Sequence, residues 1–253
     1  MIIQGQAAIV TGGASGLGGA TVDMLASAGA KVTIFDMNEA LGTQKAASIG
    51  GKFIKVNVTD EEAVAQAIAE AEQEHGKARI LVNCAGIGEP AKVIDRAGNA
   101  QPLKDYVTII NVNLIGTFNV LSKFAASLHT GDPLGEERGV IINTASVAAY
   151  DGQIGQAAYA ASKGGIVGMT LPVARELARY GIRVMTIAPG LFLTPLLATL
   201  PQEAQDSLGR QAPFPARLGD PAEYARLVAA IIDNPMLNGE VIRLDGAIRM
   251  APK

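Results

Sequence analysis

One cysteine, two histidines and no tryptophan occur in 253 residues. The lone Cys84 excludes an internal disulfide and suits a reducing compartment. With only His75 and His129 beside it, a metal centre built on clustered cysteine and histidine is not expected. Neither sign of charge dominates: 21 basic and 24 acidic residues are interspersed and leave a net charge of -3. That balance offers no electrostatic grip on nucleic acid or anionic lipid, so neither is expected as a direct partner. No apolar run approaches the roughly 20 residues of a membrane-spanning helix. The chain enters a strand-like run, QAAIV, after five residues, which leaves no room for a signal or transit peptide. The cytoplasm is the expected address, or the mitochondrial matrix if a leader has been removed.

What is present is material for a large core, since 49% of residues are hydrophobic and only 18% charged. Short apolar runs at 6–10, 31–35, 52–56, 80–83, 140–144, 183–188 and 240–244 read as strands. Several are continuous in valine and isoleucine, the pattern of parallel strands covered on both faces. Between them, 16–28, 39–49, 61–75, 105–128, 157–180 and 221–233 read as helices. This alternation predicts an α/β fold: one doubly wound, Rossmann-type sheet of about seven parallel strands with helices on both faces. A single domain over 1–253 is expected, with a nucleotide-binding half to about 145 and a catalytic and substrate half after it. Irregular stretches at 89–104, 130–138 and 189–219, the last with five prolines, read as binding loops or lids.

The first strand runs directly into TGGASGLG, residues 11–18, and then a helix. Gly12, Gly16 and Gly18, with Ser15 and Leu17 between them, form a turn whose backbone can lie close to a pyrophosphate at a helix N-terminus. The second strand ends at Asp36, eighteen residues beyond Gly18. A carboxylate there accepts hydrogen bonds from an adenosine ribose and repels a 2′-phosphate. Met37 and Asn38 supply no cation, so the predicted cofactor is NAD rather than NADP.

Tyr159 and Lys163 stand four apart in a predicted helix and therefore share a face, with Ser146 at the end of the fifth strand. An unperturbed tyrosine has a pKa of about 10 and is a poor base at neutral pH. A nearby ammonium favours the phenolate, and a positive nicotinamide ring adds to the same field. Tyr159 is thus the candidate acid and base for an alcohol–carbonyl interconversion.

The ordered set TGGASGLG, Asn83-Cys84-Ala85-Gly86, Asn113, Ser146, Tyr159-x-x-x-Lys163 and Pro189-Gly190 resembles the short-chain dehydrogenase/reductase family along essentially the whole chain. The resemblance implies that Ser146, Tyr159, Lys163 and Asn113 form a catalytic tetrad. Lys163 would also hold the nicotinamide ribose, and Asn113 would anchor a water linking Lys163 to solvent. It further implies cofactor contacts at Asn57, Val58, Cys84, Ala85, Gly86, Pro189, Gly190, Leu191, Phe192 and Thr194. Two departures stand out: the family often has a second asparagine at the position of Cys84, and Asp-Val where this chain has Asn57-Val58. Gln156 is a candidate contact for the substrate carbonyl, alongside Ser146 and Tyr159.

INTASVAAYDGQIGQAAYAASKGG, PFPARLGDPAEYA and NPMLNGEVIRLDGAIRM, with the insertion at 89–104, are similar to one branch of the family. That similarity implies NAD-dependent, reversible oxidation of a 3-hydroxyacyl-CoA to a 3-ketoacyl-CoA. Hydroxysteroids or other secondary alcohols are the alternative substrates. It also implies a homotetramer with the GEVIRLDGAIRM tail at a subunit interface. A reading from another class, a structural subunit of an RNA-processing complex, comes from the same branch. Phe192, Leu196, Leu197, Leu200 and Phe214 are expected to wall an apolar substrate site, and Lys92, Arg96 and Lys104 are candidate contacts for coenzyme A phosphates.

Overall fold

Seven valine- and isoleucine-rich runs become the strands of one sheet in the computed structural model, which describes residues 1–252 apart from the side chain of Leu196. They are β1 (Ala7–Thr11), β2 (Lys31–Asp36), β3 (Lys52–Lys55), β4 (Ala78–Asn83), β5 (Gly139–Thr144), β6 (Ile182–Pro189) and β7 (Val241–Leu244). All pair in parallel, in the order β3-β2-β1-β4-β5-β6-β7. The chain builds outward from β1 to β3 and then crosses back to place β4 on the other side of β1. Ligands bind in such sheets outside the carboxyl ends of the strands at that reversal.

Every residue of β1, β5 and β6 is buried, which explains why these runs do not alternate with polar residues. One face packs Ile9, Leu81 and Ile141 against Val120, Phe124 and Leu128. The other packs Val10, Ile80 and Ile142 against Val22, Leu25, Tyr224 and Val228. Each such side chain removed from water contributes about 1.5–3 kcal/mol before entropic costs.

Helices α1 (Gly16–Ser27), α2 (Glu39–Ile49) and α3 (Glu61–His75) fill the first half, followed by α4 (Leu103–Ile110) and α5 (Gly116–Leu128). The second half holds α6 (Ala157–Leu177), α7 (Pro195–Ala198), α8 (Gln202–Gly209) and α9 (Pro221–Asp233). Short polar side chains start several of them. Asn38 accepts from Leu41 N at 3.1 Å, Asp60 from Ala63 N at 2.9 Å and Asp220 from Ala222 N at 2.9 Å.

Two expected helices are not uniform. The segment predicted over 105–128 starts at Leu103 and is interrupted by a π-helical turn, Asn111–Ile115, between α4 and α5. The segment predicted over 157–180 ends its α-helix at Leu177 and closes through a 3₁₀ turn onto Gly181, whose φ is +65°. The combined helix Leu103–Leu128 is also long and apolar enough, by length and composition, to cross a membrane, contrary to the expectation that no segment is. Lys104 and Asp105 break its apolar run in the sequence, and here its inner face packs on the sheet through Val120, Leu121, Phe124 and Leu128.

The proline-rich stretch after β6, read from the sequence as a loop or lid, forms the two short helices α7 and α8. Its far end is tethered where Arg217 donates twice to Glu223, at 2.8 Å each, while Glu223 also accepts from Asp220 N at 2.8 Å. Arg217 and that amide hold the Glu223 carboxyl down to about 2. A depressed carboxyl contributes stability above its ordinary value of 4.5 and loses it as the pH falls toward 2. Glu223→Gln is therefore expected to cost about 1 kcal/mol at neutral pH. Thermal melts should show the gap to wild type closing as the pH drops through that window, and a gap independent of pH would contradict the assignment.

Candidate active site

A cleft of about 820 Å³ opens at the carboxyl ends of the strands. One end is built from the glycine turn. A Cβ on Gly12, whose φ is +64°, would lie 2.7 Å from Ala85 N, and one on Gly18 would lie 2.2 Å from the Gly12 carbonyl. Only glycine lets these segments close on one another. Ser15 precedes α1 without capping it through its side chain, leaving the first amides of the helix directed at the cleft. Asp36 lines the same end, its carboxylate accepting from Ala14 N at 3.1 Å and Asn38 N at 2.9 Å. Gly16, Leu17, Asn57, Val58, Cys84, Ala85 and Gly86 complete this wall. A close-approach glycine turn, open helix amides and a carboxylate fixed across from them fit a dinucleotide.

Toward the middle of the cleft, Ser146, Tyr159 and Lys163 converge from the end of β5 and the first turns of α6. The Ser146 hydroxyl lies close enough to the Tyr159 phenol to favour its ionised form, and it accepts from Ala148 N at 3.1 Å. Lys163 is 4% exposed, and its Nζ donates to the Thr144 carbonyl at 2.8 Å and lies 5.7 Å from the centre of the Tyr159 ring. Burial lowers the Lys163 pKa to about 8. It also raises that of Tyr159, with the Ser146 hydroxyl opposing. This corrects the expectation of a phenol depressed by its lysine. In the protein alone desolvation dominates, and the ammonium is committed to a backbone carbonyl.

Asn113 does not line the cleft. It is fully buried in the π-helical turn, where its Oδ1 accepts from Ile87 N at 2.8 Å and its Nδ2 donates to Ile87 O at 2.9 Å and Ser162 Oγ at 3.0 Å. It stands directly behind Gly86, where an added Cβ would lie 3.2 Å from its Oδ1 and 3.5 Å from Lys163 Nζ. The side chain thus braces the segment after β4 against the catalytic helix. Asn113→Ala would strand both Ile87 backbone groups, so a loss of about 2 kcal/mol is expected in denaturant unfolding. An unchanged midpoint would show the brace to be dispensable.

Pro189, Gly190, Leu191, Thr194 and Gln156 all line the cleft, and Gln156 Oε1 accepts from Gln153 N at 3.0 Å. Phe192 does not. It is 6% exposed, and its ring packs under Gly219, where a Cβ would lie 2.7 Å from it, as part of the core shared with Tyr224. Among the described residues of the expected apolar wall, only Leu197 lines the cleft. Phe214 is 83% exposed, Leu200 is exposed at the surface, and the Leu196 side chain lies outside the described residues. Lys92, Arg96 and Lys104 are exposed on the insertion and do not line the cleft. Cys84 lines it with a thiol that burial pushes up, which keeps it neutral.

Several residues that matter here were not singled out from the sequence. Thr144 supplies the carbonyl that holds Lys163, and its hydroxyl donates to Asn83 O at 2.6 Å and meets Tyr224 Oη at 2.7 Å. Its place two residues before Ser146 was the available signal. Gln153 and Met250 also line the cleft. Met250 lies in the irregular tail after β7, where no spacing pointed to it.

Comparison with known proteins gives this geometry its context. A family model described as short chain dehydrogenase matches residues 6–205. The 3-hydroxyacyl-CoA dehydrogenase type-2 of Rattus norvegicus is 54% identical over 254 residues, covering 99% of this chain and 97% of that protein. Its namesake in Drosophila melanogaster is 51% identical over 255 residues, covering 99% and 100%. The crystal structure of 3-hydroxyacyl-CoA dehydrogenase type-2 from Mycobacterium avium superposes with a TM-score of 0.95 at 43% identity, covering 98% of each chain. With its seven-stranded parallel sheet, glycine turn and Ser146–Tyr159–Lys163 cluster, this chain belongs to the short-chain dehydrogenase family.

Proposed function

We propose that this protein is an NAD-dependent 3-hydroxyacyl-CoA dehydrogenase, interconverting a 3-hydroxyacyl-CoA and its 3-ketoacyl-CoA. The observation that carries the reading is the convergence of Ser146, Tyr159 and Lys163 in a cleft whose other end is closed by Asp36. Relatives bearing that activity in their names match at more than half identity along nearly the whole chain. Asp36 supports NAD over NADP, because a carboxylate held by two backbone amides would repel a 2′-phosphate.

When bound, the nicotinamide supplies the hydride acceptor and donor and, in its oxidised form, a positive charge. Tyr159 takes the hydroxyl proton of the substrate in oxidation and returns it to the carbonyl oxygen in reduction. Ser146, whose hydroxyl neighbours that phenol, donates to the same substrate oxygen and orients it. Lys163, anchored to the Thr144 carbonyl, would hold the nicotinamide ribose, and Asn113 fixes the segment behind it. Incubation with a 3-hydroxyacyl-CoA and NAD should release NADH together with a 3-ketoacyl-CoA; no thioester oxidation at any pH would remove the substrate assignment.

We also propose self-association as a homotetramer in a reducing compartment, the cytoplasm or the mitochondrial matrix. Ile115, Phe118 and Leu171 stand 50%, 51% and 44% exposed along the helices outside the sheet, apolar surface that a second copy would cover. Cys84 is a free thiol. A monomer at working concentration in sedimentation would contradict the assembly.

A further inference from the structure

Residues 245–252 leave β7 and reach the cleft from the opposite side of the sheet to Asp36. The path is imposed rather than loose. The Asp245 carboxylate accepts from Arg243 Nε at 2.7 Å and from Ala247 N at 2.9 Å, while its backbone oxygen accepts from Ile248 N at 3.1 Å. Ala247 holds a φ of +67°, a left-handed conformation that a Cβ disfavours and that surrounding contacts must enforce. Ile248, 1% exposed, anchors the tail in the core. Beyond it, Gln153 Nε2 donates to Ala251 O at 3.0 Å and Ile154 N donates to Pro252 O at 2.9 Å. Arg243 reaches the same loop through Asp151 at 2.6 Å. The tail is thus strapped to the loop that leads into Tyr159.

Met250 sits between the Ile248 anchor and the Ala251–Pro252 clamp, half-buried, and its place is in the wall of the cleft beside Gln153 and Gln156. Strand order fixes which end of the cleft this is. Asp36 ends β2 near one edge of the sheet, Ser146 follows β5 in the middle, and the tail follows β7 at the other edge. The Met250 side chain therefore lies past the reacting centre, away from the end that fits the adenosine. A thioether there is apolar and adaptable, suited to pack against a flexible carbon chain.

We propose that Met250 is a specificity-determining residue that sets how much carbon chain the substrate can carry beyond its reacting carbon, with the 151–156 loop and the tail strap holding it in place. The inference rests on the dehydrogenase reading of Tyr159. It is tested on full-length protein with NADH by comparing kcat/KM for 3-ketooctanoyl-CoA and acetoacetyl-CoA in wild type, Met250→Ala and Met250→Phe. Met250→Ala should raise the long-to-short ratio about tenfold, mostly through KM, and Met250→Phe should lower it. NADH affinity by fluorescence should be unchanged in both, which reports an intact fold and cofactor end. Ratios within about twofold of wild type in whichever variant folds would overturn the proposal. If wild type turns over neither thioester, the substrate assignment fails instead. The same variants assayed on a small and a bulky methyl ketone then decide the role of Met250 by the same ratio.

Discussion

Tyr159→Phe should lower kcat about 10³-fold while leaving NADH affinity within about twofold of wild type. The substitution removes one hydroxyl and keeps the ring, so the packing of Tyr159 against Gly88 and Lys163 survives. What is lost is the group that exchanges the substrate proton and neighbours Ser146. A 10³-fold loss corresponds to about 4 kcal/mol of transition-state stabilisation, within reach of a single positioned acid or base. Because burial raises the phenol, the acid form persists at neutral pH and serves reduction there. Oxidation needs the phenolate, so its rate should climb as the pH rises toward the phenol's value. The climb should vanish in the variant. Retained turnover, or an unchanged oxidation profile, would contradict the role given to Tyr159.

Asp36→Ala combined with Met37→Arg should move the ratio of kcat/KM for NADH over NADPH by about 10²–10³ toward NADPH. A charge-assisted hydrogen bond to a ribose hydroxyl is worth roughly 1.5–3 kcal/mol, and the loss of one from bound NADH accounts for most of that shift. The rest comes from exchanging repulsion of a 2′-phosphate for a bidentate cation. Met37 is 57% exposed, so an arginine there meets no packing obstacle. Lys55, across from Asp36 in the β2–β3 register, is the nearby native cation, but it pairs with Glu39 at 3.2 Å. Steady-state kinetics with both cofactors measure the shift, and an unmoved ratio would mean that Asp36 does not read the ribose.

The strands were legible because their burial on both faces leaves continuous valine and isoleucine, and their ends lie within two residues of expectation. Helix starts were legible where Asn38, Asp60 and Asp220 cap locally; 39–49, 61–75 and 221–233 coincide with the observed α2, α3 and α9. The misses share a cause. The π-helical turn at Asn113 goes with hydrogen bonds to Ile87, 26 residues away, which no local spacing reveals. Phe192 follows a cofactor-lining proline and glycine, yet its backbone pairs with Gly219 and its ring drops into the core. The pKa direction at Tyr159 depends on how deeply α6 is covered, and burial is a property of the assembled fold. Met250 reaches the cleft only because the tail bonds a loop 98 residues upstream.

The most direct test of the account is the steady-state reduction of acetoacetyl-CoA by NADH, run beside NADPH and a ketosteroid with the same preparation. Efficient turnover with NADH and the thioester, with NADPH and the steroid well behind, is the result predicted by Asp36 at one end of the cleft and Tyr159 at its centre. Preference for NADPH, or reaction with the steroid alone, would contradict it.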